Sequence, residues 1–259
     1  MNILVIYPGR FHPFHRGHKA SYDWLTKKFG EGVYIATSDV QNDSDSPFSY
    51  ADKVRMTTSL GIPAGHVVRV KNPYQAKEIT DALSAEEKQT TALVFAVSEK
   101  DAERFNFKPK KDGSPSYLQP LPENLKKLKP MSKAGYVAIT PTVNFRVKGI
   151  DANSASQIRK LYVDGNEQDR NNIITDLYGA PDAELKSIFD QKLGANNPDE
   201  IVQYGTPIVS GGEQEVGIMR ESRKQRIKRL KESIEQIKLA IHARNHSINP
   251  DYIDEKNRL

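Results

Sequence analysis

Gly9-Arg10-Phe11-His12-Pro13-Phe14-His15-Arg16-Gly17-His18 stands between two segments of different period. Before it, Asn2-Ile3-Leu4-Val5-Ile6-Tyr7 is an apolar run of strand length. After it, Gly17 to Phe29 carries helical spacing. A loop in that position leaves the carboxyl end of a strand, where open parallel sheets hold their ligands. The helix that follows presents free backbone N–H groups and the positive end of its dipole, which suits an anion. His15 and His18 are three residues apart, so both rings can face one phosphate, and Gly17 lets a nucleotide approach the backbone closely. Two histidines at that spacing equally suit a helix cap or a surface pair, and a metal pair would lack a third ligand.

Working outward, short apolar runs alternate with helical patterns. Strands are expected at Ile3–Tyr7, Val33–Thr37, His66–Val70, Ala92–Val97 and Tyr136–Thr140, and helices at Gly17–Phe29, Tyr50–Leu60 and Gln75–Leu83. The runs lack strict alternation, as befits strands covered on both faces. The order implies an α/β fold with a parallel, five-stranded sheet and crossover helices. Ser49-Tyr50-Ala51-Asp52 has the form of a capping box with Asp in place of Glu. Residues 106–133, rich in Lys, Pro and Gly, break the rhythm and are expected to form a long irregular loop. Three further helices are expected at Ser154–Val163, Gln168–Tyr178 and Ala183–Leu193.

Beyond them the chain divides. Residues 1–194 form the expected globular domain, 195–217 a linker, and 218–259 a basic helical tail. Ile227, Leu230, Ile234, Ile237 and Ile241 step by 3 or 4 along that tail, a seam suited to self-association. The tail also carries the charge. Up to Val216 there are 27 basic and 27 acidic residues, whereas Gly217 to Leu259 holds 11 basic and 6 acidic, and 11 minus 6 gives the whole net charge of +5. The body is neutral, so the basic pI is no nucleic-acid signature of the main fold. The absence of cysteine excludes disulfides, cysteine zinc sites and thiol catalysis. With no secretory pattern and no long apolar window, a cytoplasmic, non-membrane protein is expected.

Phe11-x-Pro13-x-His15-x-Gly17-His18 resembles the HxGH signature of the nucleotidylyltransferase superfamily with a cytidylyltransferase-like, Rossmann-like fold. The form Gly-Arg-Phe-x-Pro-Phe-His-x-Gly-His is particularly similar to nicotinamide-nucleotide adenylyltransferases of the archaeal type, and large tailed phages carry similar proteins. Ser154-Ala155-Ser156-Gln157-Ile158-Arg159 resembles the family's second motif, Ser-x-Thr-x-x-Arg, with Ser156 in the place of Thr. Pro47 to Met56 resembles the segment after the second strand. Ala96-Val97-Ser98-Glu99-Lys100-Asp101 stands where the family contacts base and ribose, but departs from the archaeal Thr-Gly-Asn.

The resemblance implies nucleotidyl transfer: attack on the α-phosphate of ATP by a phosphorylated acceptor, nicotinamide mononucleotide first, with release of pyrophosphate. It implies catalytic roles for His15, His18 and Arg159, and nucleotide contacts from Gly9, Arg10, Phe11, Gly17, Ser98, Lys100, Asp101, Ser154, Ser156 and Ile158. Mg²⁺ is expected on the phosphates without a dedicated protein cage. CTP as donor, phosphopantetheine or a phosphorylated alcohol as acceptor, a catalytically silent nucleotide-binding protein, and a nucleic-acid-associated tail remain as alternatives. A homo-oligomer through the C-terminal helix is the expected assembly.

Overall fold

A computed structural model describes residues 1–194 except 43, 106, 152 and 153. The expected linker, basic tail and oligomer seam lie outside the described residues. In chain order the elements are β1 (Asn2–Pro8), α1 (Arg16–Phe29), β2 (Val33–Thr37), α2 (Tyr50–Ser59), β3 (Val67–Arg69), α3 (Lys77–Thr80), α4 (Ala85–Thr90), β4 (Thr91–Val97), α5 (Glu99–Ala102), β5 (Leu118–Pro120), β6 (Gly135–Ile139), β7 (Arg146–Val147), β8 (Ile150–Asp151), α6 (Ala155–Asp164), α7 (Glu167–Tyr178) and α8 (Ala183–Leu193).

Six strands pair in the order β3-β2-β1-β4-β6-β5, every pair parallel. Val5 of the central β1 lies opposite Val33 of β2 and Val94 of β4. Alternate residues feed two cores. Val5, Tyr7, Ile35 and Val94 face Leu25 of α1, Met56 of α2, Ile158 of α6, Leu177 of α7 and Phe189 of α8. Leu4, Ile6, Leu93 and Phe95 pack on the other face against Ile79, Leu83 and Met131. Strands buried on both faces need no polar alternation, which is why these runs are almost wholly apolar.

Two local expectations are corrected. The sheet gains a sixth strand, β5, from within the 106–133 segment. Its three residues end in a proline and pair with β6 alone, the edge position at which a missing N–H is tolerated. The helix expected over Gln75–Leu83 is only the single turn α3, because Ala76 adopts a left-handed conformation (φ 44°) and Ser84 starts a new helix with its own capping box to Glu87. The Ser49–Asp52 capping box forms as expected: the Asp52 N–H donates to Ser49 Oγ (3.2 Å), and the Ser49 N–H donates to Asp52 Oδ2 (2.7 Å).

The strand order turns back on itself at β1: β2 lies on one side and β4 on the other. The loops leaving β1 and β4 therefore flank the crevice where open α/β sheets bind ligands. Helices α6 to α8 pack into the same core as β1 and are tied to α2 and to the loop after β1. Arg55 of α2 holds Asp182 (2.7 Å) and Glu184 (2.6 Å) of α8, and the Tyr178 hydroxyl at the end of α7 donates to the Phe14 carbonyl (3.0 Å).

Candidate active site

The loop between β1 and α1 is built on tight packing. A Cβ on Gly9 would lie 2.4 Å from the Phe11 ring, so only glycine fits there. Phe11 itself has φ 51°, an uncommon conformation for a bulky residue. Its ring turns inward, edge-on to Tyr7, Phe14 and His18, and is only 7% exposed. Phe11 thus supports the loop from beneath. Arg10 is exposed at the tip.

His15 is the N-cap of α1, and it forms a reciprocal box with His18. The Gly17 N–H donates to His15 Nδ1 (3.1 Å), and the His15 N–H donates to His18 Nδ1 (3.3 Å). The helix cap that the spacing offered is thus present, with both histidines in it. A neutral imidazole carries one proton, and each Nδ1 is accepting. Both protons must sit on Nε2, leaving each ring one outward donor. Burial pushes His18 down to about 4, and burial, then His18 and Arg16, holds His15 well below its ordinary value. At neutral pH both are uncharged donors.

The His15 ring is held between two others. His15 and His18 have centroids 4.0 Å apart, and the Phe145 ring lies parallel to His15 at 4.7 Å with an interplanar angle of 8°. Gly17 has a purpose the sequence did not suggest: a Cβ there would lie 2.9 Å from His15 Cε1 and 3.0 Å from Nδ1. It makes room for the histidine ring itself.

Arg159 joins the same place from α6. Its Nη1 donates to the His12 carbonyl (2.8 Å) and its Nη2 to the Ser44 carbonyl (3.1 Å), with Asp45 3.7 Å away. The guanidinium thus ties the histidine loop to the segment after β2, through two of its five donors. Ser154 caps α6 by accepting from the Gln157 N–H (3.2 Å), and its hydroxyl meets that of Ser156 (3.1 Å); both serines are exposed. A groove beside Arg159 is lined by Ser44, Asp45, Ser156, Lys160 and Lys192. The Ile158 side chain is fully buried in the core.

Ser98, Lys100 and Asp101 follow β4 on the other flank. Ser98 caps α5, and its hydroxyl donates to Asp101 Oδ2 (3.0 Å), while Asp101 Oδ1 accepts from Arg104 Nε (2.8 Å). Arg104 lies over the Tyr74 ring at 4.9 Å. Lys100 is exposed, and Lys19 is turned to Asp23 at 2.6 Å.

Three side chains here were not singled out by the sequence. His12 is 3% exposed, accepts the Phe48 N–H at Nδ1 (3.3 Å), and is pushed to about 3 by burial, with Lys53, Arg159 and Arg10 adding their charge. Lys53 is buried and donates to the Ser38 carbonyl (2.8 Å); burial lowers it to about 8 against the pull of Asp39 and Asp52. Phe145 lies outside both motifs. A cationic environment is thus assembled from Arg10, Lys53 and Arg159, far apart in sequence. Among the described residues no group of three His, Asp or Glu side chains is placed to hold a metal ion, and no helix is long and apolar enough to cross a membrane.

Over 54 residues the chain is 41% identical to the nicotinamide-nucleotide adenylyltransferase of Methanocorpusculum labreanum, covering 20% of this chain and 32% of that relative. Over 53 residues it is 34% identical to the protein of the same name from Sulfurisphaera tokodaii, covering 20% and 31%. The chain spans about a third of the length of these curated relatives. The longer match runs from Ile6 in β1 to Arg159 in α6, enclosing both motifs and the sheet between them; it is to the family model described as cytidylyltransferase-like, and the chain belongs to that family.

Proposed function

We propose that the chain is a nucleotidyltransferase that moves AMP from ATP to a phosphorylated acceptor, nicotinamide mononucleotide first among them, with release of pyrophosphate. The observation that carries the proposal is the reciprocal histidine cap. It fixes two neutral imidazoles at the start of α1, each with its one proton on the outward nitrogen. Adenylyl rather than cytidylyl transfer, and the nicotinamide acceptor, rest on the partial likeness to the archaeal relatives.

In the transfer, an acceptor phosphate oxygen forms a bond to the α-phosphorus as the bond from that phosphorus to the bridging oxygen breaks. Pyrophosphate leaves with the electron pair. No protein nucleophile is needed, so the work is alignment and stabilisation of charge. His15 and His18 donate from Nε2 to α-phosphate oxygens as charge builds there. Arg159 and the cap of α6, with Ser154 and Ser156, face the departing phosphates, while Arg10 and Lys53 supply positive potential. With no group of three ligating side chains among the described residues, magnesium would arrive on the nucleotide and would supply charge neutralisation at its phosphates.

The test is pyrophosphate release from purified full chain with Mg²⁺, ATP or CTP, and a panel of phosphorylated acceptors. Release with ATP and nicotinamide mononucleotide is expected. His18→Ala is expected to lower turnover about a hundredfold to a thousandfold, the cost of one donor to a developing anion. Silence across the panel with ATP still bound refutes transfer.

A further inference from the structure

We infer that Phe145 is a positioning residue for His15, setting the plane in which that imidazole meets phosphate; the inference rests on the transfer reading above. The argument begins with what a capping bond leaves free. The Gly17 N–H holds one atom of the His15 ring, Nδ1, but a single hydrogen bond allows the ring to swing about it. A plane needs a second constraint, and the flat face of Phe145 supplies it at 4.7 Å and 8°. That separation is within the range in which aromatic pairs attract, and the near-parallel arrangement restricts the His15 face directly. His18, at 4.0 Å and tilted by 37°, packs against the same ring.

Phe145 is itself held. It is 7% exposed, and the next elements in the chain are the short hairpin β7–β8, whose Val147 is wholly buried. The hairpin is anchored to α7: the Lys148 N–H donates to Asp176 Oδ2 (2.8 Å), and Lys148 Nζ pairs with Asp169 (2.7 Å). Gly17 closes the arrangement, since a Cβ there would also touch Phe145 Cβ at 3.5 Å. The plane of the histidine is therefore referred through Phe145 to the helical layer, an element rigid enough to hold a donor in place. Arg16 over the same ring at 5.2 Å places a cation beside it.

Phe145→Leu keeps an apolar side chain and removes the flat face, whereas Phe145→Tyr keeps the face. Both are compared with the full chain by steady-state pyrophosphate release and by nitrogen-15 spectra of the imidazoles, the His15 signal being identified by its loss in His15→Gln. For Phe145→Leu, kcat is expected to fall about tenfold to a hundredfold, the cost of a displaced reacting group, with KM for ATP within about twofold. Its His15 signal is expected to shift and broaden as the ring swings about the Gly17 bond, while keeping the Nε2–H form. Phe145→Tyr is expected to keep both properties. The inference is overturned by a Leu variant with kcat within about twofold of the parent, by an unchanged His15 signal in it, or by a Tyr variant that loses as much as Leu. A parent chain silent toward every substrate pair sinks the transfer reading alone, and the spectra still decide whether Phe145 holds the ring.

Discussion

Replacing Gly17 by alanine separates helix propensity from site geometry, because the two push in opposite directions. Gly17 lies in the first turn of α1, and alanine in place of glycine within a helix ordinarily gains roughly 0.5–1 kcal/mol. Here the added methyl would stand 2.9 Å from His15 Cε1 and 3.0 Å from Nδ1. Ordinary carbon contacts begin near 3.5 Å, so the ring must retreat by about 0.6 Å. Retreat lengthens the 3.1 Å bond from the Gly17 N–H, and losing an N-cap costs about 1 kcal/mol. The two terms nearly cancel. Gly17→Ala is therefore expected to unfold in urea within about 1 kcal/mol of the parent while turnover falls about a hundredfold, since a reacting donor has moved a sizeable fraction of an ångström. Both numbers come from one preparation, by urea titration and pyrophosphate release. Parental turnover refutes the argument outright. Lost ATP affinity with an unmoved His15 imidazole signal refutes it differently, by showing that the nucleotide, not the ring, needs the missing methyl.

Other substitutions probe how the loop is held. Tyr178→Phe leaves the Phe14 carbonyl buried without its donor, and a loss of about 1–3 kcal/mol is expected by urea denaturation. Arg159→Lys cannot bridge the His12 and Ser44 carbonyls with one ammonium, and kcat is expected to drop about tenfold or more. Unchanged kinetics would mean the fork is dispensable. Acid should weaken the fold before carboxylates titrate. The unfolded chain takes up histidine protons near pH 6.5, whereas folded His18 resists to about 4 and His12 to about 3. Stability present above pH 6.5 is therefore lost as pH falls toward 4, with a limiting slope of about 1.4 kcal/mol per pH unit for each group. A urea midpoint that stays level between pH 6.5 and 5 would show that these histidines are not held neutral by the fold.

What the sequence made legible follows from how local each feature is. The strands of the sheet centre announce themselves because burial on both faces demands an unbroken apolar run, as in Leu4-Val5-Ile6 and Leu93-Val94-Phe95. The histidine loop is legible because its glycines and histidines act on neighbours two or three residues away. Edge strand β5 is hidden, since three residues ending in Pro120 carry too little pattern. The break at Ala76 is hidden as well; the capping-box form of Ser84-Ala85-Glu86-Glu87, which went unread, marks the helix start beyond it. Ile158 sends its side chain into the core, as a helix resting on a sheet must bury one face. Phe145, His12 and Lys53 matter through contacts across the fold, and no spacing rule reaches from Phe145 back to His15.

On the proposed transfer, this division gives the C-terminal helices a part in the site. A neutral imidazole gives one weak hydrogen bond, and it serves a transition state only if its direction is fixed in advance. The loop supplies the tautomer through its own backbone N–H groups. Position comes from elsewhere: Tyr178 of α7 holds the Phe14 carbonyl, Arg159 of α6 holds the His12 carbonyl, and the hairpin resting on α7 follows directly from Phe145. Two contacts from the helical layer, and the Phe145 ring beside a hairpin anchored to it, thus brace the loop from His12 to His15. A sheet and loop alone would leave the His15 ring free to swing about its capping bond. Loosening that layer, for instance by removing the Arg55 pairs to Asp182 and Glu184, should therefore depress turnover more than ATP affinity. Equal losses in both would place the helices outside the catalytic geometry.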